Sequence, residues 1–180
     1  MNRARLELRL FLIVQCLLSS AIFDIGFLRS FKRLMLGLFI DIGKGTTIAH
    51  GSLIKCEGCD KIGITIGKNV EIASGITLDC TGGLRIEDEV WVSDRAMIYT
   101  HLHVTASRIL KNKQKMRRIP LVIERDAWIG ANAMIYPRVR RIGTGAIVGA
   151  GSVVCHDIDD WQIVVGNPAE PISHRIGRSD

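Results

Sequence analysis

Residues 123–154, IERDAWIGANAMIYPRVRRIGTGAIVGAGSVV, decide the fold of this 180-residue chain. Aliphatic residues recur at intervals of six in this stretch, with one extra residue inserted midway, at Ile123, Ile129, Ile135, Ile142, Val148 and Val154. Such a period is neither the 3.6 of an α-helix nor the 2 of an ordinary β-strand. It indicates short, flat strands separated by regular corners, with two inward positions in each hexapeptide.

The same period runs through the preceding sequence. It is marked by Ile42, Ile48, Ile54, Ile66, Ile72, Leu78, Ile86, Val92 and Ile98. Asp60 stands at the aliphatic position between Ile54 and Ile66, and two extra residues are inserted between Leu78 and Ile86. Three hexapeptides make one triangular coil, and stacked coils pair their strands in parallel around an aliphatic column. Glycines follow several of the aliphatic positions, at corners that a Cβ would crowd: Gly43, Gly67, Gly130, Gly143 and Gly149. The repeat predicts an all-β parallel solenoid of about five coils.

The repeat divides the chain into three parts. Residues 1–40 form an apolar, basic and helical segment, residues 41–166 carry the coils, and residues 167–180 are a C-terminal tail. The largest interruption, residues 101–120, predicts an extended loop that leaves the coil and returns to it. Long loops on rigid scaffolds often carry function. The basic side chains of this loop are Lys111, Lys113, Lys115, Arg117 and Arg118.

The N-terminal segment is apolar, but its pattern does not favour a membrane span. The run from Leu10 to Phe23 ends at Asp24, short of the ~20 apolar residues that a spanning helix needs. Glu7 disfavours a signal peptide, whose first region is basic. We expect a helix that lies either on the protein assembly itself or on a membrane interface. The expected location is the cytoplasm, at the inner face of the cell membrane in the second case.

The net charge indicates the kind of partner, and the cysteine content indicates the redox compartment. The net charge of +6 favours an anionic partner, and residues 1–40 contribute +4 of it through six basic and two acidic residues. The basic loop lacks the aromatic residues of a nucleic-acid platform, so no nucleic acid is expected.

The five cysteines are an odd set without disulfide-scaffold spacing, which favours a reducing compartment. Cys56 and Cys59 have no second ligand pair for a structural zinc.

Four ordered motifs carry a resemblance to a known family. They are Thr100-His101-Leu102-His103, Ala127-Trp128-Ile129-Gly130, Val148-Gly149-Ala150-Gly151-Ser152-Val153-Val154 and Gly166-Asn167-Pro168-Ala169. Over roughly residues 40–176 the chain resembles the hexapeptide-repeat acyltransferases, especially the branch of galactoside, maltose, nodulation-factor and exopolysaccharide or O-antigen O-acetyltransferases. The resemblance implies a left-handed parallel β-helix, a homotrimer with active sites between subunits, and acetyl-CoA as acyl donor.

The resemblance also implies the catalytic residues. His101 matches the family's catalytic histidine, a general base that removes the proton of the attacking hydroxyl; His103 is an available rival. Asp79 matches a position that often faces the acceptor sugar, with a turn-capping role as the alternative. We therefore expect Asp79 and His103 to contact a saccharide or lipid-linked saccharide, in envelope or extracellular polysaccharide biosynthesis.

The resemblance also implies which residues contact the acyl donor, acetyl-CoA. Ala131, Ala150 and Cys155 match the family's pantetheine contacts, although small side chains there also suit tight coil packing. Trp128 and Arg175 are the other expected CoA contacts. Glu170 stands where a basic residue normally follows the Gly-Asn-Pro-Ala segment, which is a departure from the family pattern. No metal is expected.

Three alternatives remain at this point. N-acetylation of an amino sugar uses the same base and donor, and a non-catalytic scaffold subunit needs neither. A γ-type carbonic anhydrase needs three histidines on zinc. His101 and His103 offer two, whereas the remaining histidines, His50, His156 and His174, belong to other coils. The sequence does not specify the acceptor, the length of the acyl group, or O- against N-acylation.

Overall fold

The computed structural model describes residues 3–59, 61–104, 110 and 113–176. Two helices come first, α1 Arg3–Leu17 and α2 Gly26–Leu36, with a 3₁₀ turn at Ala21–Asp24 between them. A left-handed parallel β-helix follows. The predicted fold class is confirmed.

The short strands form three faces of a triangular prism. Face A consists of β1 Asp41–Ile42, β4 Ile64–Ile66, β7 Leu84–Ile86, β12 Leu121–Ile123 and β15 Arg141–Ile142. Face B consists of β2 Thr47–Ile48, β5 Glu71–Ile72, β8 Trp91–Val92, β13 Trp128–Ile129, β16 Ile147–Val148, β18 Gln162–Gly166 and β19 Ala169–His174. Face C consists of β3 Leu53–Lys55, β6 Thr77–Asp79, β9 Met97–Ile98, β14 Met134–Ile135 and β17 Val153–Val154. Within the described residues these strands make five complete coils and begin a sixth, as the repeat predicts.

The aliphatic column predicted from the period is the core. Equivalent positions stack in register, so that Ile66 pairs with Ile42 on one side and with Ile86 on the other. Ile129 and Ile135 are fully buried, whereas Ile42 in the first coil is half-buried. The second inward position of each hexapeptide holds a small or branched residue, because little space remains beside the larger aliphatic chain.

The predicted corner glycines are also confirmed. A Cβ on Gly67 would lie 2.5 Å from Oδ1 and 2.6 Å from the backbone nitrogen of Asp88 in the next coil. A Cβ on Gly43 would meet the carbonyl group of Gly67 in the same way. The coils can therefore stack at this corner only if no side chain projects between them.

The N-terminal segment covers the open end of the first coil. The Gln15 side chain pairs with the backbone of Ile54 on β3, donating from Nε2 to its carbonyl (3.1 Å) and accepting from its N–H at Oε1 (2.7 Å). Lys32 is buried and donates to the carbonyl of Ala49 (3.1 Å). Phe11 is buried against the same end of the core. These contacts give partners to strand-edge groups that no preceding coil can supply.

The predicted loop leaves the β-helix as an antiparallel hairpin. Its strands are β10 His101–His103 and β11 Met116–Arg118, with His101 opposite Arg118 and His103 opposite Met116. The basic residue Lys111 lies outside the described part of the chain. Among the residues that the structure describes, no helix is long and apolar enough to cross a bilayer.

Two features go beyond the sequence analysis. The segment predicted as a tail contains β19, which turns back at Asn167-Pro168 and pairs antiparallel with β18. Cys56 and Cys59 form a disulfide, with Cα atoms 5.9 Å apart, which is within the normal range for such a bond. This disulfide is not predicted by the odd set of cysteines, which favours a reducing compartment.

Candidate active site

The central feature of the candidate site is a histidine paired with a buried carboxylate. His101 begins β10, directly after the third coil, and Asp79 ends β6 in the second coil. Nδ1 of His101 lies 2.7 Å from Oδ2 of Asp79. The Asp79 side chain is fully buried, and that of His101 is 8% exposed. The stacking of the coils thus fixes one edge of the imidazole against a carboxylate.

Asp79 is held by hydrogen bonds on both oxygens. Oδ1 accepts from the backbone N–H (3.2 Å) and the hydroxyl of Thr81. Oδ2 accepts from the backbone N–H of Thr100 (2.8 Å) as well as from His101. Burial raises the pKa of Asp79, but the bonds from Thr81, Thr100 and His101 outweigh it and leave the pKa below its usual value. Asp79 is therefore an anion, so the neutral form of His101 carries its proton on Nδ1 and has Nε2 as an acceptor.

The sequence predicts that Asp79 either contacts the acceptor or caps a turn. Its carboxylate has no exposed surface and faces His101 and two threonines. Its bond from the Thr81 N–H is the predicted turn cap, and a contact between Asp79 and the acceptor stays a prediction. The sequence contains a signal for the Asp79–His101 pairing, because Asp79 ends β6 and His101 lies three residues after Ile98, which pairs with Leu78 of β6 on face C.

The other edge of His101 faces two exposed residues. Nε2 lies 3.4 Å from Oε2 of Glu57, whose side chain is 58% exposed. The His103 ring stands edge-on to that of His101, with 5.6 Å between ring centroids. Sequence reasoning missed Glu57, because the loop that carries it breaks the hexapeptide period. His103 does lie beside the candidate base, although its contact with an acceptor remains a prediction.

The Glu57 loop is tied to the coils and to the hairpin. The backbone N–H of Glu57 donates to Oγ1 of Thr81 (2.8 Å), and Arg118 donates to the carbonyl of Gly58 (2.6 Å). The disulfide Cys56–Cys59 closes the same turn. These ties fix the backbone of the turn from which the Glu57 side chain reaches Nε2.

The predicted donor residues are distributed over two corners. Ala131 and Ala150 lie in stacked turns between faces B and C, linked by a bond from the Gly151 N–H to the Ala131 carbonyl (2.8 Å). Trp128 precedes this corner and is 43% exposed. Cys155 follows β17 at the other end of face C, where its thiol is free. The structure brings the two alanines together and places Cys155 apart from them.

Trp128 and Arg175 have partners within the chain. The Trp128 indole donates from Nε1 to Ser93 (2.9 Å) and stands edge-on to Trp91. Arg175 donates from Nη1 to Asp126 Oδ2 (2.8 Å) and to the carbonyl of Gly145 (3.0 Å). Arg175 thus joins the chain end to the fourth and fifth coils, and its contact with CoA stays a prediction.

Comparison with known proteins points to acyl transfer on this fold. No protein-family profile matches the chain. A chloramphenicol acetyltransferase of Klebsiella aerogenes is 37% identical over 86 residues, which are 48% of this chain and 40% of that protein. The chain thus spans less than half the length of this curated relative.

Solved structures match over more of the chain. Galactoside acetyltransferase in complex with coenzyme A superposes with a TM-score of 0.79 at 20% identity, over 97% of this chain and 83% of that one. AntD, an N-acyltransferase from Bacillus cereus in complex with dTDP and 3-hydroxybutyryl-CoA, gives 0.67 at 27% identity, over 77% and 73%. The relatives and structural neighbours are acetyl- and acyltransferases, and these two structures were solved with CoA or an acyl-CoA.

Proposed function

We propose that this protein is an acetyl-CoA-dependent acetyltransferase that acylates a hydroxyl of a sugar or saccharide, with His101 as general base. The observation that carries the proposal is the buried Asp79–His101 pair, which leaves Nε2 facing the open side of the site. The CoA complexes of proteins with this fold support the donor. The class of acceptor rests on the sequence resemblance.

The chemistry requires one proton relay. The acceptor hydroxyl gives its proton to Nε2 while its oxygen attacks the thioester carbonyl carbon. The tetrahedral intermediate then expels the CoA sulfur, and the proton on Nε2 passes to that thiolate, giving CoA–SH and an ester. Asp79 stays ionised throughout and stabilises the transient imidazolium. A base of this kind contributes about 10²–10⁴ in rate.

We further propose that the donor site is completed in a homotrimer. Face A presents charged and polar side chains outward, such as Asp41 and Arg85. Faces B and C instead expose aromatic side chains, with Trp91 54% and Tyr136 42% exposed. Such residues are typical of subunit contacts. Pantetheine would then lie beside Ala131, Ala150 and Cys155 at a boundary between subunits, with Trp128 nearby.

The oligomer has a direct test. Light scattering coupled to gel filtration should give three times the chain mass, and Trp91→Asp should reduce it. Arg85→Asp on face A is the matched control and should leave the mass unchanged. A monomeric wild-type protein would contradict the trimer.

N-acetylation of an amino sugar is the second candidate. It is favoured by the 27% identity to AntD, an N-acyltransferase. Neutral His101 can accept a proton from an attacking amine as well as from a hydroxyl. A panel that pairs each sugar with its amino analogue distinguishes the two, because the preferred nucleophile releases CoA thiol faster.

We also propose that the N-terminal segment binds an anionic membrane surface, which would bring a lipid-linked acceptor to the site. Each helix exposes apolar side chains at helical spacing on one side: Leu6, Leu10, Ile13 and Leu17 on α1, and Phe27, Phe31 and Leu34 on α2. Exposed arginines accompany them at positions 5, 9 and 29. Apolar faces bordered by basic residues fit the interface of a bilayer that contains anionic lipids.

Point substitutions test membrane binding without removing the cap. Deleting residues 1–25 would expose the first coil, since Phe11 and Gln15 are buried against it. Phe27 is 81% and Leu34 64% exposed, so serine at both positions should abolish co-sedimentation with anionic vesicles. Ile172→Ser, at a 62% exposed position on β19, is the matched control. Equal sedimentation with neutral vesicles, or by the double variant, would contradict the proposal.

The proposed reaction is tested by binding and turnover measured together. Acetyl-CoA is titrated calorimetrically into wild-type protein and His101→Ala, and thiol release is followed with a saccharide panel. Both proteins should bind the donor, while only the wild type should turn over. His156→Ala is the control, because His156 is an exposed histidine in another coil. Turnover by His101→Ala at the wild-type rate would exclude His101 as the base, and absent donor binding would favour a scaffold role.

A further inference from the structure

Three potential metal ligands meet at the open edge of His101. His101 and His103 are alternate residues of β10, so their side chains project from the same face of that strand. Glu57 approaches them from the disulfide-closed turn. One donor atom from each of the three lies within 4.8 Å of the other two. Two histidines and one glutamate form a ligand set used by zinc sites that keep a fourth position open.

One of the three donor separations already matches a tetrahedral site. Ligand bonds of about 2.0–2.1 Å at tetrahedral angles separate the donor atoms by roughly 3.4 Å. Nε2 of His101 and Oε2 of Glu57 are already 3.4 Å apart. The side chains of His103 and Glu57 are exposed and can rotate inward to complete the set.

An outer partner for the metal-binding histidine is also in place. Histidines that bind metal through one ring nitrogen commonly donate the other N–H to a carboxylate, which fixes the ring and raises its basicity. Asp79 is buried and occupies that position at Nδ1 of His101, 2.7 Å away. Nε2 is therefore presented with its lone pair directed toward Glu57 and His103.

We propose that Glu57, His101 and His103 bind a divalent transition-metal ion of the Zn²⁺ class, and that this ion inhibits acyl transfer. The inhibition rests on the proposed function, because the lone pair of Nε2 that takes the acceptor proton is the one that would bind the metal. Metal binding and general-base catalysis are then mutually exclusive. The sequence predicts no metal, because it shows two neighbouring histidines but not the third ligand, Glu57, which only the fold brings to them.

Metal binding is measured without reference to activity. Chelator-treated protein is titrated with ZnCl₂ by calorimetry and with Co²⁺ by visible absorption. We expect one ion per chain, and a cobalt spectrum without the thiolate charge-transfer band that the free thiols Cys16 or Cys155 would produce. Loss of a residue that only supports a ligand typically weakens metal binding by about 10–100-fold. His103 and Glu57 would be ligands themselves, so His103→Ala and Glu57→Gln should each weaken Zn²⁺ binding by at least this factor. His156→Ala should bind as the wild type does.

Two outcomes would overturn the metal site: no Zn²⁺ binding by the wild type, or binding that is unchanged in both ligand variants. Turnover measured during the zinc titration tests the inhibition. Thiol release should fall in proportion to the bound ion and recover on chelation, whereas turnover by the zinc-saturated protein would overturn mutual exclusivity. Zinc binding in a protein that never releases thiol would instead refute the proposed acyl transfer and support the metal site.

Discussion

Replacing Asp79 by asparagine tests the proposed mechanism most directly. Asparagine keeps the shape of the side chain but puts an NH₂ group where one oxygen stood. If this NH₂ group occupies the Oδ2 position, it lies against the Thr100 N–H at 2.8 Å, donor against donor. If it occupies the Oδ1 position, it lies against the Thr81 N–H at 3.2 Å but can donate to the Thr81 hydroxyl. The second orientation has the weaker conflict. It preserves the proton on Nδ1 of His101 and removes the negative charge.

The expected fall in kcat follows from the loss of the negative charge on Asp79. Unit charges roughly 4 Å apart at an effective dielectric constant of about 20 interact by about 4 kcal/mol. The amide dipole recovers part of this, and each ~1.4 kcal/mol is a factor of ten in rate. Asp79→Asn should therefore lower kcat by about 10²–10³, while the Kd for acetyl-CoA stays near that of the wild type. The first orientation would place the proton on Nε2 and make the loss larger.

Stopped-flow thiol release at saturating substrates measures kcat, and calorimetry measures donor affinity. Thr81→Val is the control, because it removes the hydroxyl that bonds the same carboxylate and the Glu57 N–H, and leaves the contact between Asp79 and His101 intact. Both variants should lower the free energy of unfolding, but only Asp79→Asn should abolish most of the turnover. If kcat falls equally in both, Asp79 acts through stability alone, and the proposed positioning role is refuted.

Three further predictions concern the scaffold. Gln15→Leu should lower the free energy of unfolding in urea by about 2–4 kcal/mol, because the buried N–H and C=O of Ile54 lose their partners; an unchanged midpoint would contradict the capping role. Gly82→Ala should cost about 1–3 kcal/mol in a thermal melt, since its Cβ would lie 2.6 Å from the Ile119 backbone nitrogen. The pKa of Glu124 is lowered by its hydrogen bonds with Arg141, so this stabilisation is complete above the usual pKa and is lost as pH falls through the folded-state pKa. Glu124→Gln should accordingly be less stable than the wild type by about 1 kcal/mol at neutral pH, and the gap should close below about pH 4, as urea titrations at the two pH values would show.

The sequence specified the solenoid because its determinants are local and repeated. The positions equivalent to Ile129 and Ile135 are aliphatic in one coil after another. Glycines such as Gly67 stand at corners where the next coil leaves no space for a side chain. One misplaced residue in one coil does not obscure a pattern that many coils share. The turn at Glu57 and the hairpin from His101 break the period, and there the pattern predicts only that the chain leaves the coil.

The candidate site depends on contacts between segments that the repeat does not relate. The sequence identified His101 through resemblance, but it did not reveal that Asp79 is fully buried, since a polar residue at a strand end can face solvent or a neighbouring coil. The bond from Gln15 to Ile54 joins residues 39 positions apart, and no periodicity predicts it. Folding of the N-terminal segment onto the first coil decides the Gln15–Ile54 contact, whereas stacking of the coils decides the burial of Asp79.

The distance between Asp79 and His101 is set by the rise from one coil to the next, which backbone hydrogen bonds hold constant along the whole prism. Coils four and five can therefore vary in sequence, or a whole coil can be added beyond them, without changing that distance. A frame shift of a single residue between β6 and β10 would turn the histidine away from its carboxylate. Tolerance to insertion along this chain should thus be high in steps of a complete turn and very low within the one turn that separates the two residues.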